Sequence, residues 1–324
     1  MIAKKETSGA DSPRLWKKIY SFPQFSILLV LIITVVGLAI AKPTFLSGAN
    51  IVNILRQCAP NLIVALGMTL VLILGGIDLS VGAVACLAGT LCAGLMSRNG
   101  MGVVPAILIC LAVAAICGLT NGLIVAKMNI APFIATLAMN CTARGVALVY
   151  TGGSPIAGIP SAATQLGRGY LAGLPIPVWI MFVILAVIWV LATKTRFSRH
   201  MFATGGNEEC ARLSGVKVKN VKIIIYTLCS LLAGISGILM TLRLGSGQPT
   251  LADGLELDAI SAAVLGGTSL TGGRGYVLGT IFGCLFLTVL SNGLNIIQVS
   301  SYWQQVFKGI ILVIAVSMYR SSKK

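Results

Sequence analysis

Leu74-Gly75-Gly76-Ile77-Asp78-Leu79-Ser80-Val81-Gly82 interrupts a chain that is otherwise apolar from residue 60 to residue 97. A helix needs about 20 apolar residues to cross a hydrocarbon core of roughly 30 Å, and each flank approaches that length. A second interruption follows 191 residues later. That shift lays Leu74, Gly75, Gly76, Leu79 and Gly82 on Leu265, Gly266, Gly267, Leu270 and Gly273, with Thr268 inside the second stretch. Glycine lowers the cost of ending a helix, and the backbone groups so exposed need water, protein or ligand as partners. Glycine-broken segments at corresponding places in two halves mark the transport pathway in several transporter folds. Two cytoplasmic turns between ordinary helices would leave the same pattern, so both readings stand. Asp78 is an acid at a membrane boundary, either functional or a cap for the next helix, with Ser80 beside it. The cap is the expectation.

Working outward, the composition agrees with a membrane chain. Of 324 residues, 56% are hydrophobic and 10% charged, and the mean hydropathy is +0.95. Soluble domains carry about 25% charged residues, so secreted, disulfide-stapled and disordered classes are excluded. The apolar runs fit ten transmembrane helices: 25–41, 60–74, 81–97, 103–126, 130–150, 177–192, 221–244, 257–265, 276–292 and 304–319. The eighth is too short to cross unless it continues into the glycine-rich stretch behind it. Residues 47–57 have helical spacing (Ile51, Ile54, Leu55) and are expected to lie flat on the outer face. The fold expected is therefore an all-α polytopic membrane protein. A single transmembrane domain over 25–319 would sit between tails over 1–24 and 320–324. The first tail is polar to Lys18, with no A-x-A pattern after the first run, so a retained helix is expected instead of a cleaved leader.

Lys and Arg total 24 against 8 Asp and Glu, a formal +16. In a soluble chain this would point to nucleic acid. Here the basic residues gather at the ends of apolar runs, the positive-inside signature, and put both termini in the cytoplasm. Most of them then fall inside, whereas Lys42, Arg56, Arg98, Arg168 and Arg243 fall outside and Arg144 and Lys308 lie within helices. Two loops are long enough to carry a job: an outer one over 151–176 and a basic inner one over 193–220. In the latter, Asn207 can cap a short helix with Glu208 and Glu209 in its first turn, and Gly215 can end it. That helix is either a surface turn or a docking knob.

Small residues recur every four positions at Ala114, Gly118, Gly122 and Ala126, and at Gly275, Gly279 and Gly283, a spacing that lets helix backbones approach closely in lipid. Uncharged polar residues are sparse in the apolar runs: Asn61, Asn121, Thr136, Asn140, Asn292 and Asn295. They could hydrogen-bond a neutral solute or another helix. The single histidine, His200, lies in the basic loop, so no relay of buried carboxylates and histidines is evident, and an ion-driven pump needs one. The nine cysteines form no CxxC pair and are expected to act as small hydrophobes, with no metal and no cofactor on this chain. No G-x-x-x-x-G-K-[ST], H-E-x-x-H or G-x-S-x-G occurs, which speaks against ATP hydrolysis here or a membrane enzyme.

Several stretches together resemble one family. They are Gly67-Met68-Thr69-Leu70-Val71 running into Gly75–Gly82, then Phe133-Ile134-Ala135-Thr136-Leu137, and Arg144-Gly145-Val146 leading to Tyr150–Pro155. Gly205-Gly206-Asn207-Glu208 through Ala211-Arg212-Leu213-Ser214-Gly215 follows, then Glu256-Leu257-Asp258-Ala259-Ile260 to Leu270, and Ser291-Asn292-Gly293-Leu294-Asn295. This pattern is similar to the membrane permease of bacterial ribose-type ABC importers. The resemblance implies a fold like that of the vitamin B12 importer permease, with two permease copies in the bacterial inner membrane. It implies a cytoplasmic ATPase subunit that hydrolyses ATP and a periplasmic sugar-binding protein as partners. The loop from Gly205 to Gly215 would be the coupling helix seated in the ATPase, and the shared cavity would open to each side in turn. Ribose is the type substrate, with allose, xylose, arabinose, galactose and a furanosyl signal carried by similar permeases. The rival reading is a stand-alone secondary carrier or passive channel for a small neutral solute.

Overall fold

The protein is described by a computed structural model over residues 25–321. The tail expected over 1–24 and the final residues 322–324 lie outside the described residues, while residues 320 and 321 belong to the last helix. Helix α1 (Phe25–Ala41) and a 3-10 turn (Pro43–Leu46) precede α2 (Gly48–Ile73). The first glycine break leads to α3 (Val81–Ser97), α4 (Val103–Lys127) and α5 (Pro132–Thr151). A short α6 (Ser161–Arg168) and a hairpin of β1 (Tyr170–Leu171) and β2 (Leu174–Pro175) come next, with Tyr170 opposite Pro175. Then follow α7 (Ile176–Lys194), α8 (Arg196–Gly206), α9 (Glu208–Leu213) and α10 (Val218–Leu244). The chain closes with α11 (Leu255–Leu265), α12 (Val277–Ile296) and α13 (Ser301–Ser321).

Among the described residues, six helices are long and apolar enough to cross a membrane: α2, α4, α5, α7, α10 and α12. Helices α1 and α3 are apolar but shorter, at 17 residues each. The core is built on α2, buried almost all round from Cys58 to Ile73, with α3, α10 and α12 against it. Helices α1, α4, α5 and α7 turn large apolar side chains outward, among them Ile40, Leu108, Val149 and Val183. That is the surface a bilayer accepts, because lipid tails are as apolar as these side chains. The small-residue faces pack helices as expected. A Cβ on Gly122 would meet Ile223 Cα at 2.7 Å, and those on Gly279 and Gly283 would strike the Gly266 and Ala262 carbonyls. Cys141 and Cys210 are exposed, whereas six of the nine cysteines are buried.

Three expectations change. Residues 47–57 form no separate surface helix, because α2 runs straight from Gly48 through Pro60. Proline removes one helical N–H, and Ser236 Oγ donates to the Pro60 carbonyl at 2.9 Å, tying the helix to α10 at that point. Second, the segment read over 257–265 is a short helix of 11 residues that ends at the glycines instead of passing through them.

The third concerns where the irregular backbone lies, and α10 serves as a ruler. No charged residue occurs between Lys222 and Arg243, a rise of about 31 Å at 1.5 Å per residue, close to one hydrocarbon core. Gly76 packs on Tyr226, and Gly237 packs on Ala85. Val81, a turn before Ala85, is thus level with about residue 233, and α3 starts roughly half-way across. On the opposite side the chain leaves α10 and descends without helix. Gly247 lies against Ala93, Cys86 Sγ donates to the Pro249 carbonyl at 3.2 Å, and the Ala252 carbonyl approaches Gly82. Helix α11 therefore also begins near half depth and runs the other way. The segment that meets 74–80 at half depth is 245–254, whereas 265–273 stays at the helix ends. Non-helical backbone at this depth is tolerated only when buried in protein or lining a cavity.

Candidate functional site

Both glycine breaks and the basic loop meet at one end of the bundle. At the end of α2, Gly75 N–H donates to Leu72 O and Gly76 N–H to Val71 O. At the end of α11, Gly267 N–H donates to Val264 O and Thr268 N–H to Ala263 O. These are the two bonds of a Schellman ending, which needs one residue in the left-handed region. Gly75 (φ +78°) and Gly267 (φ +90°) supply it, so the conformational match is Gly75 to Gly267, one residue off the sequence superposition. Gly266 instead lies against the α12 backbone at Gly279. The Ile73 carbonyl receives Gly273 N–H at 2.8 Å, and Gly205 of α8 packs directly on that carbonyl. The Gly272 Cα also faces the Gly205 carbonyl and the Gly75 amide. Three backbones are thus stacked with no side chain between them.

The helix α9 is held as a rigid knob on this junction. Asn207 Oδ1 accepts from Cys210 N–H at 2.9 Å, as the sequence pattern anticipated. Gly215 (φ +83°) ends the helix, with Val216 N–H returning to Ala211 O, and the Ser214 hydroxyl donates to Cys210 O. Ala211 is buried, whereas Gly206 has open space around it. Glu208 takes both carboxylate oxygens to Lys222 Nζ at 2.7 Å, anchoring α9 to the base of α10. Glu209 and Arg212 pair on the exposed surface, and the Arg212 guanidinium holds the Glu209 carboxyl below its ordinary range. Leu213, part of the sequence motif but given no role of its own there, is 75% exposed. A cavity of about 330 Å³ is lined by Glu208, Lys222 and Tyr226 together with Gly75, Gly76 and Pro132.

From Ile77 to Leu79 the chain climbs with no helical bonds, and predicted polar residues satisfy it. Thr136 Oγ1 accepts from Leu79 N–H at 3.1 Å, and Asn140 Nδ2 donates to Leu79 O at 2.6 Å. Asn121 Nδ2 donates to Ser80 Oγ at 3.0 Å. Asp78 is fully buried, and its Oδ1 accepts from Ser80 N–H at 2.9 Å and Ser80 Oγ at 2.6 Å. The expected cap therefore takes another form: Asp78 binds the residue before α3, and Ser80, which starts that helix, makes no side-chain cap. Asp78 Oδ2, Asn121 Oδ1 and Tyr226 Oη are buried with no hydrogen-bond partner. Asn140→Ala should cost about 1–3 kcal/mol of stability by orphaning the Leu79 carbonyl; thermal unfolding of the purified protein measures it.

The remaining predicted residues lie elsewhere. Asn292 pairs with Asn50 through both amides, at 3.0 and 3.1 Å, and Asn295 accepts from Gln304 Nε2 at 2.8 Å. Both stand near the far end of α12, about 23 and 27 Å from its start, and are not gathered with the breaks. Gly82 faces the Glu256 carboxyl, and Asn61 borders a small cavity with Gln57, Asp258 and Lys308. The sequence reading also passed over a charged group at half depth. Arg144 donates to the Leu251 carbonyl at 2.8 Å and stands 3.9 Å from Asp253, and Lys308 meets Asp258 at 2.7 Å. Arg144 and Lys308 as lone basic residues inside apolar helices were the available signal.

Long apolar helices and irregular backbone held at bilayer depth are those of a multi-pass membrane protein. Residues 50–316 match the family model described as the permease component of the branched-chain amino acid transport system, and the chain belongs to that family as a ribose-type ABC permease. It is 48% identical over 294 residues to the ribose import permease protein of Bacillus subtilis, covering 90% of this chain and 91% of that one. The ribose import permease protein of Escherichia coli is 43% identical over 314 residues, 96% and 97% of the two chains. The galactose/methyl galactoside import permease protein of Escherichia coli is 37% identical over 310 residues, 90% and 92% of the two. No solved structure matches the chain.

Proposed function

We propose that this chain is the membrane permease of an ATP-driven monosaccharide importer for ribose or a related pentose or hexose. Two copies form the translocation pathway by alternating access in a bacterial inner membrane. ATP is hydrolysed on a separate cytoplasmic subunit, and a periplasmic sugar-binding protein delivers the solute. Ten crossings, both termini in the cytoplasm and a fold like that of the vitamin B12 importer permease belong to the same reading. The observation that carries it is the stacking of Gly205 on the α2 and Gly272-Gly273 backbones. A push on α9 reaches both glycine breaks through Gly205, whose backbone meets theirs with no side chain between.

In this reading Gly205, Gly206, Asn207, Glu208, Ala211, Arg212, Ser214 and Gly215 form the coupling element. Gly75, Gly76, Asp78, Ser80 and Gly82, held by Asn140, and Gly266, Gly267 and Thr268 are the breaks that move. Asn292 and Asn295 steady the outer end. A ligand can shift such an equilibrium only by binding its two states unequally, so the permease itself should hold sugar weakly. Membrane vesicles carrying this chain with its ATPase and binding protein should accumulate labelled D-ribose only when ATP is supplied. Accumulation against a gradient by this chain alone would reverse the reading in favour of a stand-alone carrier or channel.

A further inference from the structure

Charge gathers at half depth on one face of the bundle. Glu256 lies beside Gly82, near the mid-depth start of α3, and Asp253 next to it has its side chain 85% exposed. Asp258 and Lys308 pair across α11 and α13. These residues, with Gln305, border a groove of about 390 Å³. Arg144 of α5 stands 3.9 Å from Asp253 and holds the Pro249 and Leu251 carbonyls, so the loop before α11 is pinned in place. Glu256 Oε2 is buried against Gly82 with no hydrogen-bond partner. A charged side chain against hydrocarbon at this depth costs roughly 2.5–3.5 kcal/mol, so charged groups here face water or protein instead of lipid.

Three carboxylates and one cation, Lys308, line the groove, with Arg144 beside Asp253, which leaves an excess of acceptors and a net negative charge. Such a lining suits an uncharged molecule that donates many hydrogen bonds and raises the local concentration of cations over anions. We propose that Asp253, Glu256, Asp258, Gln305 and Lys308 form the polar wall of a water-filled passage for an uncharged polyhydroxylated solute. A second copy of the chain closes the passage, and the acidic balance turns anions away. Arg144 is a positioning residue for the wall. The proposal rests on the permease reading.

Leu257 supplies a neutral probe, since it borders the groove, is 51% exposed and carries no charge. Leu257→Cys is placed in the assembled importer in membrane vesicles, with the exposed Cys141 and Cys210 changed to serine. Its thiol should react about tenfold faster with a cationic methanethiosulfonate than with an anionic one, each rate divided by that of a free thiol in solution. Adding Asp253→Asn and Glu256→Gln should bring the two normalised rates close together, and Asp253→Cys offers a second labelling position. Labelling by a lipophilic maleimide alone, or equal normalised rates before the acids are removed, would overturn the wall. Uptake of D-ribose by the unsubstituted importer in the same vesicles tests the permease reading separately, so the two failures are distinguishable.

Discussion

Gly205→Ala should cost on the order of 3 kcal/mol of stability, while Gly206→Ala, one residue on, should be neutral or slightly stabilising. Alanine is favoured over glycine inside a helix by about 1 kcal/mol, and both positions close α8. They differ in surroundings. A Cβ on Gly205 would overlap the Ile73 carbonyl and approach Gly273 N at 2.8 Å, whereas a Cβ on Gly206 would meet nothing within 4 Å. Backbone cannot rotate aside as a flexible side chain can, so the overlap must separate α8 from the end of α2. Overpacking of this kind costs about 1–3 kcal/mol. Stretching the Gly273-to-Ile73 hydrogen bond adds about 1 kcal/mol. Thermal unfolding of the two purified variants measures the difference. The Gly205 change should also abolish ATP-driven uptake in whatever fraction still folds, because it opens the junction that joins α9 to both breaks. Equal melting and equal uptake for the pair would show that the stacking carries neither stability nor coupling.

Leu213→Asp should leave the fold intact and reduce ATP-driven uptake at least about tenfold, as expected when an interface anchor worth 2 kcal/mol or more is removed. Leu213 is 75% exposed, so its loss takes little from the core. Exposed substitutions of this kind usually change stability by no more than about 0.5 kcal/mol. Arg212→Glu should act similarly, since its guanidinium is tied only to the exposed Glu209. Glu208→Gln works differently, because it frees α9 from Lys222 and loosens the knob instead of altering its surface. The comparison to make is melting temperature beside uptake. Loss of uptake with unchanged melting locates the effect at the partner surface. Unchanged uptake in Leu213→Asp would remove α9 from the coupling role.

The asparagines show why site roles were only partly legible. Asn121, Asn140 and Asn292 are equivalent in sequence terms, each a lone amide in an apolar run. The structure places the first two on the irregular 77–80 backbone and pairs the third with Asn50 at the other end. Nothing local to each residue distinguishes those fates, because the partner in every case is at least forty residues away. Likewise the 191-residue superposition matched glycines by identity and so laid α3 on α12, yet α3 starts at mid depth whereas α12 starts beside Gly266 at the helix-end junction. The depth at which a helix starts is a property of the packed chain, and side-chain periodicity carries no sign for it.

The amino-acid pattern alone determined that this chain is helical and membrane-embedded, where most of its long helices run, and that α9 begins at Asn207 and stops at Gly215. Those features follow from interactions within a few residues: hydrophobic run length, capping and the left-handed freedom of glycine. Only tertiary packing decided that α2 runs unbroken through Pro60, that the two breaks and Gly205 stack backbone on backbone, and that charges far apart in sequence gather at half depth. Each of these depends on close approach between segments from different thirds of the chain, which local preference cannot encode.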